Sequence, residues 1–243
     1  MIGAPLGLSS STVAFADVPA NLARVREDIA RVQSQEGLRV PVRIVAVTKG
    51  HPPDAVSAAA GAGLSDVGEN RVQEALEKQE QAAGVAVTWH LIGHLQTNKA
   101  KQVPGRFGWV QSVDSVRVAE ALAKAVETRG GESGLKVLLQ VNVAGEGQKS
   151  GCEPAAAGDL AARIRDLAGL ELCGLMTMAP LTEDQAVQRR VFGDLRGLRD
   201  DLERQGHRLP ELSMGMSGDF HAAVAEGATM LRLGTVLFGE RSS

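Results

Sequence analysis

The sequence predicts one α/β domain, a single (β/α)8 TIM-type barrel with an extra N-terminal helix. Strand-like and helix-like segments alternate along the chain, and eight of these segments are strand-like. The length of 243 residues suits one barrel better than two small domains. An open, doubly wound sheet shows the same alternation, so that alternative stays open at this stage.

The first predicted helix, Val18–Gln35, carries apolar residues at helical spacing and follows a segment, residues 1–17, that we expect to be a flexible tail. The predicted barrel domain spans residues 18–243. Its strands are predicted at Ile44–Lys49, Leu64–Gly68, Trp89–Gly93, Trp109–Val113, Lys136–Asn142, Leu172–Met178, Leu212–Gly215 and Met230–Gly234. Helices are predicted at Pro53–Ala62, Arg71–Ala82, Asn98–Val103, Val116–Thr128 (capped by Ser115), Ala155–Leu167, Glu183–Gln205 and Phe220–Glu226.

Composition argues against several classes of function. The net charge is −3, aromatic residues make up 3% and tyrosine is absent, so we expect neither nucleic-acid nor membrane-surface binding. No apolar run is long enough to span a membrane, and no basic segment precedes an apolar leader. The two cysteines, Cys152 and Cys173, form no CxxC pair. A cytoplasmic protein is the simplest expectation.

Polar residues follow the predicted strands, which is where barrels of this type carry their active sites. Lys49 ends the first strand on the same face as Val45 and Val47, so it reaches the barrel mouth if that face points inward. A desolvated lysine amine becomes a nucleophile toward an aldehyde. Taken alone, however, a solvated lysine at a strand end is the simpler interpretation.

Two turns after the last two strands predict a phosphate site. Ser217 lies in a glycine-containing turn that leads into a helix, and Gly234-Thr235 offers an open backbone and one hydroxyl. Arg232 shares the inward face of the last strand and must find acceptors. Spacing leaves open whether it pairs with a carboxylate such as Glu69 or contacts a ligand.

Three motifs for other chemistry fail. Gly61-Ala-Gly63 precedes a strand, whereas a dinucleotide-binding loop follows one. The segment Gly145–Ser150 ends in Lys-Ser as a P-loop does, but Gln148 stands where a P-loop requires glycine. His90 and His94 are four residues apart, but no glutamate follows His90 and the segment between them is the end of a strand, not a helix. No metal site is therefore predicted.

Read together, a series of ordered motifs resembles the pyridoxal phosphate homeostasis protein family, over residues 21–241. They are Ile44–Lys49, Gly68–Glu74, Trp89–Gly93, Leu95–Lys99, Ser112–Asp114, Gln140–Asn142, Lys149–Gly151, Gly174–Met176, Leu212–Ser217, Arg232–Thr235 and Phe238-Gly239. The resemblance implies a barrel similar to the N-terminal domain of alanine racemase, with pyridoxal 5′-phosphate (PLP) as cofactor.

The resemblance also implies a role for each site residue. Lys49 would carry PLP as an internal aldimine, and Asn70 would line its ring. Arg232 would face the pyridine nitrogen. The remaining implied residues are Ser217, Gly234 and Thr235 at the phosphate, and Met214 and Gly215 beside the cofactor.

The family resemblance implies a PLP carrier or regulator of vitamin B6 balance, with no catalytic residues and with apo PLP enzymes as possible recipients. An arginine at the ring nitrogen weakens the electron sink, and a racemase of the related type would use a tyrosine that this chain lacks. Two alternatives remain: a PLP enzyme acting on an unidentified amino acid, and a cofactor-free enzyme that forms a Schiff base with a phosphorylated sugar. We expect a monomer.

Overall fold

The computed structural model describes residues 15–130, 134–145 and 150–240, and the eight strands found there are parallel and close into a barrel. Closure comes from pairing of the first and last strands, with Arg43 opposite Met230 and Val45 opposite Arg232. The predicted barrel is therefore confirmed, and an open sheet is excluded. The strands are β1 (Arg43–Val47), β2 (Asp66–Glu69), β3 (Thr88–Leu91), β4 (Trp109–Val113), β5 (Leu135–Gln140), β6 (Leu170–Met176), β7 (Glu211–Ser213) and β8 (Met230–Leu233).

Helices surround the barrel. Within the described residues the α-helices are α1 (Val18–Glu36), α2 (Asp54–Gly61), α3 (Val72–Gln81), α4 (Val116–Thr128), α5 (Ala157–Arg165), α6 (Gln185–Arg204), α7 (Phe220–Ala225) and α8 (Thr235–Phe238). Two 3-10 helices lie at Thr97–Gln102 and Pro154–Ala156. The predicted cap of α4 is confirmed, since the Ser115 hydroxyl accepts from the Val118 amide. No helix in these segments is long and apolar enough to cross a membrane.

The extra N-terminal helix is present and packs on the outside of the barrel. Helix α1 buries the apolar residues that its spacing predicted and packs against α7 and α8. The turn before it is also in contact with the barrel, because the Phe15 ring lies 5.8 Å from His51 and 5.7 Å from Phe238. Residues 1–14 of the predicted tail lie outside the described residues.

Alternation along the strands creates two apolar regions. Outward-facing residues pack under the helices and form the larger core. A smaller cluster fills the barrel interior and consists of Val45, Trp109, Leu138, Cys173, Met176 and Met230. The presence of Val45 and Met230 in this inner cluster fixes the inward phase of β1 and β8.

Several strands end earlier than predicted. The predicted ends at Lys49, Asn142, Met178 and Gly215 lie two residues beyond the observed ends of β1, β5, β6 and β7. The side-chain pattern continues past the last ladder hydrogen bond, so these residues belong to the loops at the barrel mouth. Helix α8 was not predicted, because its four residues are too few to show a helical period.

Candidate functional site

A cavity of about 550 Å³ opens at the carboxyl ends of the strands. This volume suits a small-molecule ligand. Six of the eight predicted site residues line it: Lys49, Asn70, Ser217, Arg232, Gly234 and Thr235. The other lining residues are Val47, Ile92, Gly93, His94, Gln140, Ser150, Met178, Leu181, Met216 and Gly218.

Lys49 reaches the cavity because the alternation of β1 continues past the strand end. Val47 and Lys49 both line the cavity, whereas Thr48 between them is fully buried and donates its hydroxyl to Glu69 Oε1 at 2.6 Å. From α3, Lys78 Nζ donates to the Thr48 carbonyl at 2.7 Å and to Glu69 Oε1 at 2.5 Å. We call Thr48, Glu69 and Lys78 the outer cluster; it anchors the backbone next to Lys49.

Asn70 is placed at the rim by a close approach of two loops. A Cβ atom on Gly93 would lie 2.3 Å from the carbonyl oxygen of Asn70. Only glycine therefore fits where the chain leaves β3, and this brings Asn70 and Gly93 together in the cavity wall.

Arg232 forms part of the cavity floor and is held from below. Its Nη1 donates to Ser213 Oγ at 2.7 Å, and its Nη2 donates to the Thr177 carbonyl at 2.8 Å. Burial lowers the pKa of Arg232 to about 10, against the opposing influence of Asp219. The guanidinium stays charged at neutral pH and can only donate hydrogen bonds.

Of the two alternatives left open for Arg232, pairing with Glu69 is excluded. Glu69 is the last residue of β2 and belongs to the outer cluster, on the helix side of the barrel wall. Its inward-facing neighbour on β2 is Asp66, which contacts His90. Strand alternation separates Glu69 from the interior that Arg232 faces.

Ser217 joins the two predicted phosphate-binding turns. Its Oγ accepts from the amides of Gly234 and Val236, at 3.2 Å each. Two backbone donors from the start of α8 thus converge on one oxygen at the cavity wall. The turn that carries Ser217 is closed by Asp219, which accepts from the Met216 amide at 2.5 Å. A phosphate oxygen is the kind of acceptor that such converging amides fit.

Two predicted residues do not line the cavity. Met214 is fully buried in the larger core between the strands and the helices. A Cβ atom on Gly215 would meet Ala223 and Leu231 in the same core. Because the chain turns at Gly215, with φ +95°, it is Met216 and Gly218 that face the cavity. Lys149, part of a family motif, lies outside the described residues.

One lining residue with possible acid–base chemistry was not singled out as a cavity residue from the sequence. His94 lies at the rim, with Nδ1 3.6 Å from Asp114 Oδ2. The cysteines offer no second nucleophile, because burial raises the pKa of Cys152 to about 11 and that of Cys173 to about 12. No group of three or more metal-ligating side chains occurs in the described segments.

Comparison with known proteins agrees with this geometry. The family model for the alanine racemase N-terminal domain matches residues 20–242. A pyridoxal phosphate homeostasis protein of Pseudomonas aeruginosa is 43% identical over 226 residues, covering 92% of this chain and 96% of that protein.

Two solved structures are similar over nearly the full length. An unknown protein from Bifidobacterium adolescentis has a TM-score of 0.85 and 36% identity, covering 96% of this chain and 98% of that chain. PipY of Synechococcus elongatus, solved with PLP bound, has a TM-score of 0.80 and 38% identity, covering 91% of this chain and all of that chain.

The closed barrel, its mouth cavity and the matching family model define a barrel of the alanine racemase N-terminal type. Three relatives narrow this class further: the pyridoxal phosphate homeostasis proteins of Pseudomonas aeruginosa, Aquifex aeolicus and Escherichia coli are 43%, 39% and 36% identical over at least 90% of this chain. The chain belongs to the pyridoxal phosphate homeostasis protein family.

Proposed function

We propose that this protein binds PLP covalently through Lys49 and takes part in intracellular PLP homeostasis. The observation that carries the proposal is the convergence of Lys49, Arg232 and the Ser217–Gly234 turns on one cavity. The PLP-bound structure of PipY, at 38% identity, supports the same ligand.

The residues present fit the cofactor at three points. The Lys49 amine is the nucleophile that a covalent bond to an aldehyde requires. The converging amides at Ser217, with the Thr235 hydroxyl, suit the phosphate. Arg232 would provide a donor for the ring nitrogen, and Asn70 would line the ring. When bound, PLP supplies an electron-withdrawing ring that activates an attached amine.

The chain's own residues favour holding over turnover. Arg232 is charged and donates only, so it disfavours a proton on the ring nitrogen and weakens electron withdrawal. The chain contains no tyrosine to act as a second base. A covalent bond to Lys49 is still exchangeable with a free amine, so the cofactor is protected yet retrievable by recipient apo enzymes. We expect a cytoplasmic monomer.

One observation favours a second candidate, an enzyme acting on an unidentified amino acid. His94 at the cavity rim, with Asp114 beside it, could move a proton to or from a bound amine. His94 is more than half exposed, and its contact with Asp114 is 3.6 Å, so this arrangement is loose. We therefore place the carrier role first.

The covalent site is tested by borohydride reduction of the PLP-loaded protein, followed by digestion and mass mapping. We expect the pyridoxyl mass on Lys49 and none in Lys49→Ala, which should also lose the visible absorbance of the bound cofactor. Lys101→Met, at an exposed lysine that does not line the cavity, is the matched lysine control and should keep the label. A label on Lys99 instead would refute the assignment.

The carrier role is tested with an apo PLP enzyme as recipient. Loaded protein should restore that enzyme's activity, beside a control with free PLP at equal concentration. In parallel, amino acids in deuterated water should show no multiple-turnover α-proton exchange. Steady exchange that disappears in His94→Gln would instead establish the enzyme.

The phosphate position is tested by Ser217→Ala. Bonds from charged or oriented donors to a phosphate contribute about 1.5–3 kcal/mol, so PLP affinity should fall about ten-fold or more. Affinity for pyridoxal, which lacks the phosphate, should change little. Equal losses for both ligands would place the phosphate elsewhere.

A further inference from the structure

Five buried polar side chains form an unbroken hydrogen-bond path through the barrel interior, which we call the interior relay. It runs from the cavity floor toward the opposite end of the barrel. The contacts are Arg232 Nη1 to Ser213 Oγ at 2.7 Å, Ser213 Oγ to Gln111 Oε1 at 2.6 Å, Gln111 Nε2 to His90 Nδ1 at 2.9 Å and His90 Nε2 to Asp66 Oδ1 at 2.9 Å.

The cationic end of the interior relay sets its direction. Arg232 has no acceptor, so Ser213 Oγ must accept from it. The Ser213 hydrogen is then directed to Gln111 Oε1, which fixes the orientation of the Gln111 amide. Gln111 Nε2 also lies 3.0 Å from Met230 Sδ, and this second contact favours the same orientation.

The anionic end agrees with that direction. Because Gln111 Nε2 donates, His90 Nδ1 must accept and the ring hydrogen sits on Nε2. The His90 Nε2–H group then points at Asp66 Oδ1. Burial lowers the pKa of His90, against the opposing influence of Asp66, so the ring is neutral at pH 7. Every bond therefore runs from the cation to the carboxylate, and such chains reinforce one another.

Burial makes the alternatives costly. Ser213, Gln111 and His90 have no exposed surface, Arg232 is 4% exposed and Asp66 is 8% exposed. Water cannot replace a broken contact in the middle of the path, so losing one member leaves its neighbours unpaired.

We infer that Asp66, His90, Gln111 and Ser213 are positioning residues that hold Arg232 in one orientation toward the ring nitrogen of the bound cofactor. This inference rests on the proposed function, because it takes the cavity to be a PLP site. Asp66 acts over the length of the interior relay, and Ser213 acts by direct contact with the guanidinium.

The test compares PLP with an analogue in which a C–H group replaces the ring nitrogen. Wild-type protein should bind PLP more tightly than the analogue. Ser213→Ala should weaken PLP binding about ten-fold and change analogue binding by less than about two-fold, since only PLP uses the positioned donor. A general packing defect would weaken both ligands equally, and that result, or no change in either, would overturn the inference.

Matched variants keep the result interpretable. Ser112→Ala removes another buried hydroxyl, which donates to the Gly93 carbonyl, and should preserve the wild-type preference for PLP. If Ser213→Ala does not fold, Asp66→Asn at the far end should reduce the preference by a smaller factor. An unchanged preference in Asp66→Asn would then overturn the inference. Wild-type protein that carries no borohydride-fixed label would instead mean that the proposed function fails.

Discussion

The outer cluster and the interior relay each bury one cation with one anion, yet they arrange them in opposite ways. In the outer cluster, Lys78 and Glu69 touch at 2.5 Å. In the interior relay, three neutral groups separate Arg232 from Asp66. The first arrangement neutralises its cation at contact, whereas the second leaves the cation at the cavity.

The difference matches what each cation is for. Coulomb attraction falls with distance, so the contact with Glu69 holds Lys78 in place. Lys78 in turn stabilises the backbone beside Lys49, because it donates to the Thr48 carbonyl. Arg232 keeps a charge that a ligand can use. The outer cluster is also less complete, because Glu69 Oε2 is buried without a hydrogen-bond partner among the described residues. Tight pairing stabilises a strand end here, and dispersed pairing maintains a binding group.

The largest expected effect comes from breaking the outer cluster. Lys78→Met leaves the Glu69 carboxylate buried without its cation, and removing one member of a buried ion pair costs about 3–5 kcal/mol. We expect a loss of that size in the free energy of unfolding, measured by urea titration of the PLP-free protein.

The control for this prediction removes both charges. Lys78→Met combined with Glu69→Leu should regain more than half of the loss, since well-packed apolar replacements of a buried pair are often neutral. Thr48 would still lack an acceptor for its hydroxyl, so recovery should be incomplete. If Lys78→Met alone were as stable as wild type, the Lys78–Glu69 pair would contribute nothing to the free energy of unfolding.

The interior relay should respond less strongly to the loss of its middle member. Gln111→Leu keeps a similar volume but leaves the Ser213 hydroxyl without an acceptor for its hydrogen and His90 Nδ1 without a donor. Unpaired buried groups cost about 1–3 kcal/mol, so urea titration should show a smaller loss than Lys78→Met. Ser112→Ala is the control for removing a buried polar group elsewhere. A loss as large as that of Lys78→Met would mean that the two clusters do not differ as proposed.

Strand alternation predicted the inward phase of Lys49 and Arg232, and the turns after the last two strands predicted the positions of Ser217 and Gly234. The same alternation excludes the Arg232–Glu69 pair, one of the two alternatives left open, since Asp66 faces inward and Glu69 outward. It also places Met214 outside the cavity.

The interior relay could not be predicted from the sequence, because its members come from five different strands. Which residues meet inside depends on the stagger between strands, and the register shifts irregularly between β4 and β5 near Val110 and Val113. Gln111 lies within that irregular stretch of β4. A local pattern in the sequence carries no record of such a shift.

The smallest expected effect is a pH dependence of stability that belongs to the interior relay. Burial lowers the pKa of His90 below its ordinary 6.5, while Asp66 opposes the shift; Arg43 and Glu211 are the other charged groups that act on this ring. The unfolded chain therefore binds a proton on His90 at a higher pH than the folded protein does. Stability from this group is present above about pH 6.5 and is lost as the pH falls through the folded pKa.

Asp66 adds a second loss at lower pH. Burial works against ionisation, but hydrogen bonds from His90 and Ser65 lower the pKa of Asp66 below its ordinary 3.8. Its contribution is present above about pH 3.8 and is lost as the pH falls through the folded value.

Urea titrations between pH 7.5 and about 5 test the His90 contribution. They should show declining stability in wild type and a shallower decline in His90→Gln. Ser112→Ala should keep the wild-type slope. If His90→Gln also keeps that slope, then His90 does not change protonation on unfolding, and the fixed polarity of the interior relay would lose its support.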